Sequence, residues 1–164
     1  MNKKLAEMIA SEFHEDWRKT RLKEDGTFEP RWKAVKDDAF TAKFAEVEKL
    51  PTYLRRTEAG LEIDIANASY NQLSANWQEE NKAAAEVVAT IITSGEELTE
   101  EQIGYIIHLK WLERNDWAKG GELDVPFSEL PKNEQEKDLS QYRIGMAVYT
   151  EYTKQQKKDG GIAD

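Results

Sequence analysis

Leu5, Ile9, Phe13 and Trp17 recur every fourth position with Met8 beside them, so residues 3–23 are predicted to form an amphipathic helix. Asp25-Gly26 then closes it with a turn. From 27 to 62 the periodicity fades: Phe40, Phe44, Val47 and Leu50 suggest a short helix before Pro51, and Arg55, Arg56 and Gly60 an exposed crossing. Ile63 and Ile65 alternate with acids and predict an extended segment. Leu73, Trp77, Ala84, Ala85, Val88 and Ile92 give a second long helical face, stopped at Ser94-Gly95. Thr99 with Gln102 has the spacing of a capping box, in which each side chain accepts the other residue's backbone N–H. A third helix therefore starts there and carries Ile103, Ile106, Ile107 and Trp111. Gly120-Gly121 breaks the chain, Leu123 and Val125 suggest a very short strand, and Pro126 and Pro131 bracket a rigid turn. Leu139, Tyr142, Met146, Tyr149 and Thr153 form one face of a last helix, after which 155–164 lacks an apolar face and is expected to be a flexible tail.

Two stretches of this pattern match. His14-x-x-Trp17-x-x-x-Arg21 in the first helix parallels His108-x-x-Trp111-x-x-Arg114 in the third. Downstream, Tyr70-x-x-Leu73 with Trp77, Gln78 and Asn81 parallels Phe127-x-x-Leu130 with Glu134, Gln135 and Asp138. The histidines are 94 positions apart and the aromatic-leucine pairs 57, so the first copy carries 37 extra residues, mostly the aperiodic stretch 27–62. Duplication with an insertion predicts a mainly α fold of two pseudo-symmetric helical hairpin repeats with short extended segments around a single compact core. The repeats would span about 3–93 and about 99–153 of one domain, 1–154.

These residues resemble the RyR repeat domain, named after the ryanodine receptor and found also in bacterial and phage proteins. His14, Trp17 and Arg21 match the family's first helix, and Asp25-Gly26 occupies its turn. The second copy matches with His108, Trp111, Arg114 and Trp117, then with Val125-Pro126-Phe127, Leu130-Pro131, Glu134, Lys137 and Asp138. The first copy departs from the pattern: it lacks the proline before Tyr70, has no tryptophan after Gly26 unless Trp32 serves, and carries Glu80-Asn81 in place of a lysine-acid step. The resemblance implies a mainly helical fold and a binder of nucleotide-derived ligands rather than an enzyme. It implies no cofactor.

Composition narrows the alternatives. In a chain of 164 residues there is no cysteine, which removes disulfides, thiolate metal sites and thiol nucleophiles. No apolar run is long enough for a membrane span and the N-terminus lacks a signal-peptide core, so a cytoplasmic location is expected. Over residues 1–60, 13 Lys and Arg nearly balance 12 Asp and Glu, so the formal charge of -9 falls on 61–164. That surface repels phosphate backbones and argues against general nucleic-acid binding. It suits solubility or a basic protein partner, in a monomer or a homodimer.

The chemistry rests on the repeated motif. His14 and Trp17 share a helical face with Arg21 one turn beyond, and His108, Trp111 and Arg114 repeat the set. An indole to stack on, an imidazole to hydrogen-bond and a guanidinium to clamp oxygen suit an adenine-like or phosphorylated small ligand in a cleft lined by these helices. The competing role is structural, with tryptophans as anchors, histidines bonded to backbone carbonyls and arginines paired with local acids. The two are compatible where the motif builds a cleft wall. Two histidines without a ligand at metal spacing speak against zinc. Arg31, Trp32 and Lys33, in the insertion, are candidate contacts to a phosphate or an acidic partner, against the alternative of a solvated charged loop.

Overall fold

The computed structural model describes residues 2–160 and is mainly helical. Among the described residues, the elements in chain order are α1 Lys3–Lys19, β1 Trp32–Ala34, α2 Asp38–Lys43, β2 Leu54–Thr57, β3 Gly60–Asp64, α3 Ala75–Thr93, α4 Glu100–Arg114 and α5 Lys132–Gly160. The chain divides into two compact units, Ala10–Lys82 and Met1–Ile9 with Ala83–Asp164. None of the described helices is long and apolar enough to cross a membrane.

In the unit Ala10–Lys82, α1 stops at Lys19 instead of continuing to residue 23. The Thr20 hydroxyl bonds back to the Trp17 carbonyl, Gly26 takes φ 86°, and Leu22 forms an isolated antiparallel bridge with Phe28. The insertion folds into an antiparallel sheet in the order β1-β3-β2. Arg55 and Arg56 therefore lie on β2, opposite Glu62 and Leu61, and not on an irregular crossing. Tight reversal into β3 falls at Gly60, whose φ of 126° suits glycine. Ile63 sits between Lys33 and Leu54 in the register and is fully buried. Of the short helix predicted over Phe40, Phe44, Val47 and Leu50, only the start forms: α2 is begun by Asp37, whose carboxylate accepts the Phe40 N–H, and ends at Lys43, so that Val47 and Leu50 lie beyond it. Asp64 is buried and spends its carboxylate on the backbone N–H groups of Arg31 and Ala66 and on the Asn67 amide, so a charged residue here fastens loop to sheet.

In the other unit, Asn2 caps the start of α1 through the Leu5 N–H and bonds the Tyr152 hydroxyl. The Thr99–Gln102 capping box opens α4 with both reciprocal bonds formed, at 3.1 and 2.8 Å. Gly104 on α4 lies directly under the Phe127 ring, and Gly145 on α5 lies against Val88 and Ile92 of α3. Helices approach there because no Cβ intervenes. Leu123 and Val125 form no strand; their carbonyls are engaged by His108 instead of by a neighbouring strand. Phe127–Glu129 makes a 3-10 turn between Pro126 and Pro131, as the prolines predict. Helix α5 does not fray at 155 but runs to Gly160, supported by the Lys154–Glu151 pair and the Gln155–Asp159 hydrogen bonds at helical spacing. The rest of the expected tail, 161–164, lies outside the described residues.

Candidate functional site

The first His-Trp pair lies in the unit Ala10–Lys82. One turn apart on α1, the His14 and Trp17 rings stack with centroids 5.8 Å apart and planes 22° off parallel. His14 is buried, and its Nε2 is 2.8 Å from the Ala68 carbonyl. A carbonyl only accepts, so Nε2 carries the proton. Burial pulls the His14 pKa below 6.5, against the opposing pull of the Ala68 carbonyl and of Glu15. Arg21 spends its guanidinium on the Glu29 and Pro30 carbonyls and lies 5.9 Å from the Trp17 ring. Arg18, which the spacing argument passes over, donates to the Ala66 carbonyl and to both oxygens of Glu15 while covering Phe28 at 4.5 Å. The two arginines thus tie α1 to the segments that follow it.

The second pair lies in the other unit and repeats this local geometry. His108 and Trp111 stack at 5.9 Å and 14°. His108 Nε2 is 3.0 Å from the Leu123 carbonyl and 2.9 Å from that of Val125, so the same nitrogen must again donate. Downstream, Tyr70 and Phe127 each begin a 3-10 turn, Leu73 and Leu130 follow in extended conformation, and Gln78 and Gln135 return to the Tyr70 and Leu130 carbonyls. Trp117 stands edge-on to Trp111 at 5.5 Å, 74% exposed. Arg114 is half-buried in the last turn of α4.

Beside this second pair is a pocket of about 270 Å³ lined by His108 and Trp111, by Leu123 and Leu130, and by a polar stripe of α5. Glu134, Lys137, Asp138 and Gln141 form that stripe because their spacing places them on one helical face. Lys137 pairs with Glu134 at 3.0 Å. The Asp138 side chain is 13% exposed, and its Oδ2 is 3.9 Å from His108 Nδ1, beyond hydrogen-bond reach. Burial pushes the Asp138 carboxyl up to about 6, an effect that His108 and Lys137 oppose and Glu134 reinforces. Asp138 is the pocket residue that spacing from the histidines does not find. Its signal is the polar stripe at 134, 137, 138 and 141, on a helix read for its apolar face.

The remaining candidates are dispersed. Arg31 is exposed and bound through its backbone to Asp64 and Ile65. Trp32 is covered by Arg55 at 4.2 Å, and Arg55 itself pairs with Glu62. Lys33 lies over Trp77 at 5.7 Å, and the Trp77 indole donates to the Ala34 carbonyl. Among the described residues no cluster of three or more His, Cys, Asp or Glu could hold a metal. Neither a family model, nor a curated protein, nor a solved structure matches the chain.

Proposed function

We propose that the protein is a non-enzymatic binding module built from two RyR-like repeats, and that the pocket beside Trp111 receives the heterocyclic ring of a small nucleotide-derived ligand. The observation that carries this reading is the pocket itself: an indole wall and buried hydrogen-bonding groups around about 270 Å³. A ring stacked on Trp111 would complete its burial and meet Asp138 and His108 at its edge. The pocket lining has neither a hydroxyl nor a thiol to act as nucleophile, and His108 is anchored through the nitrogen that faces the chain. Both features favour holding a ligand over transforming one.

The test is titration with a panel of nucleosides and nucleotides, read by tryptophan fluorescence and melting temperature. The wild type and W17F should respond to at least one member, and W111F should not, with its circular dichroism unchanged. Silence across the panel, or a response that W111F retains, would overturn the reading. The charge of residues 61–164 favours a second function, engagement of a basic protein partner. Neutralising Glu129 and Glu136, which do not line the pocket, should then abolish capture of that partner while leaving ligand titrations intact.

A further inference from the structure

We infer that the pocket beside Trp111 selects its occupant through a planar N–C–N pair of donors, received by the Asp138 carboxylate. That donor pair is the chemistry shared by a guanidinium group and by the amide-amine edge of guanine. The inference rests on the proposal that this pocket is a ligand site, and it adds what the ligand must present there.

Two carbonyls accept from His108 Nε2, and its Nδ1 stands 3.9 Å from Asp138 Oδ2, beyond hydrogen-bond reach. Among the described residues nothing donates a hydrogen bond to Asp138. Its neighbour Glu134 is already paired with Lys137, whose ammonium is mostly exposed. The Asp138 carboxylate is therefore the acceptor on this wall left to a ligand, while the Lys137 ammonium is spent on Glu134. A carboxylate presents two parallel acceptor oxygens, matched by two parallel N–H groups. Trp111 supplies a flat face on which such a planar group can stack, with a cation–π contribution if it is charged. A phosphate would meet Asp138 and Glu134 as like charges and would bring Asp138 no donor.

The chemistry belongs to one copy of the motif. The repeat pairs Glu134 with Trp77 and Asp138 with Asn81. In the unit Ala10–Lys82, Trp77 is engaged by Ala34 of β1 and covered by Lys33. The insertion thus occupies the position where the second copy presents an acid.

Proton linkage gives the inference a second readout. The charged or titratable groups facing Asp138 are His108 from α4 and Glu134 and Lys137 from its own helix. With the carboxyl held at about 6, its ionised fraction falls about tenfold between pH 7 and pH 5. Donor binding, which needs the ionised form, should weaken by about the same factor.

Calorimetric titration of the full chain with guanosine, agmatine and adenosine at both pH values tests this. Guanosine or agmatine should bind at pH 7, adenosine at least about tenfold more weakly, and affinity should drop about tenfold at pH 5. D138N should lose at least about tenfold at pH 7. A response to guanosine alone assigns the nucleobase edge as the source, and one to agmatine alone assigns a free guanidinium compound. Adenosine binding as tightly as guanosine, with neither D138N nor pH having an effect, would overturn the inference while leaving the pocket as a ligand site. Binding of none of the three and of no other nucleotide would overturn both. The pH arm uses the wild type, so it remains decisive if D138N fails to fold.

Discussion

Asp138→Asn removes a titration while preserving the shape of the side chain. Folding moves the carboxyl from 3.8 to about 6, and the side chain is only 13% exposed. That difference of about two pH units, at about 1.4 kcal/mol each, is of order 3 kcal/mol. Between 3.8 and about 6 the folded chain holds the Asp138 proton more tightly than the unfolded chain. The wild type should therefore gain stability relative to D138N as pH falls through this window, and lose it as pH rises. Urea unfolding of both proteins from about pH 7.5 to about pH 4 at fixed ionic strength measures the difference. Every other titration is common to the pair and cancels to first order. The stability of the wild type minus that of the variant should rise by roughly 3 kcal/mol on acidification. A difference that stays flat, or one that rises toward alkaline pH, would refute the assignment of a desolvated carboxyl to this pocket.

Other perturbations test the framework around the site. G104A drives a methyl group into the Phe127 ring and should cost about 1–3 kcal/mol, measured by urea unfolding. H14A leaves the Ala68 carbonyl without its donor and opens a cavity against Trp17, which should cost about 2–4 kcal/mol. Because burial holds His14 below 6.5, its contribution should be complete above that pH and decline as pH falls through it, so the gap between wild type and H14N narrows in acid. T99A breaks the capping box of α4 and should cost about 1 kcal/mol, read from the shift in melting temperature.

Much of the helical framework is legible in the sequence because its signals are local. The four-residue spacing from Leu5 to Trp17 marks α1, and the Thr99–Gln102 pair marks the first turn of α4. The sheet is harder to read. In β2, Leu54 is followed by Arg55, Arg56 and Thr57, so an exposed edge strand shows no alternation, and its pairing with β3 is a non-local fact. Leu123 and Val125 carry a strand-like pattern, yet a histidine on another element claims their carbonyls. The same limit applies at the site. Spacing places each histidine beside its tryptophan, but which carbonyl each histidine finds depends on a segment 54 residues away for His14 and 15 to 17 for His108. It also favours Arg21 over Arg18, although both end on backbone carbonyls. Asp138 is visible as one position in a polar stripe, and only the fold turns that stripe toward His108.

The central claim is that the second His-Trp pair borders a ligand pocket. The chain has five tryptophans, and each contributes an indole N–H signal to a nitrogen-proton correlation spectrum. Titration with the nucleoside or guanidine compound that binds best should shift the Trp111 signal and, through its edge contact, that of Trp117, while leaving Trp17, Trp32 and Trp77 in place. Saturation of the sample with Trp111 unmoved, or a response confined to Trp17, would contradict the account.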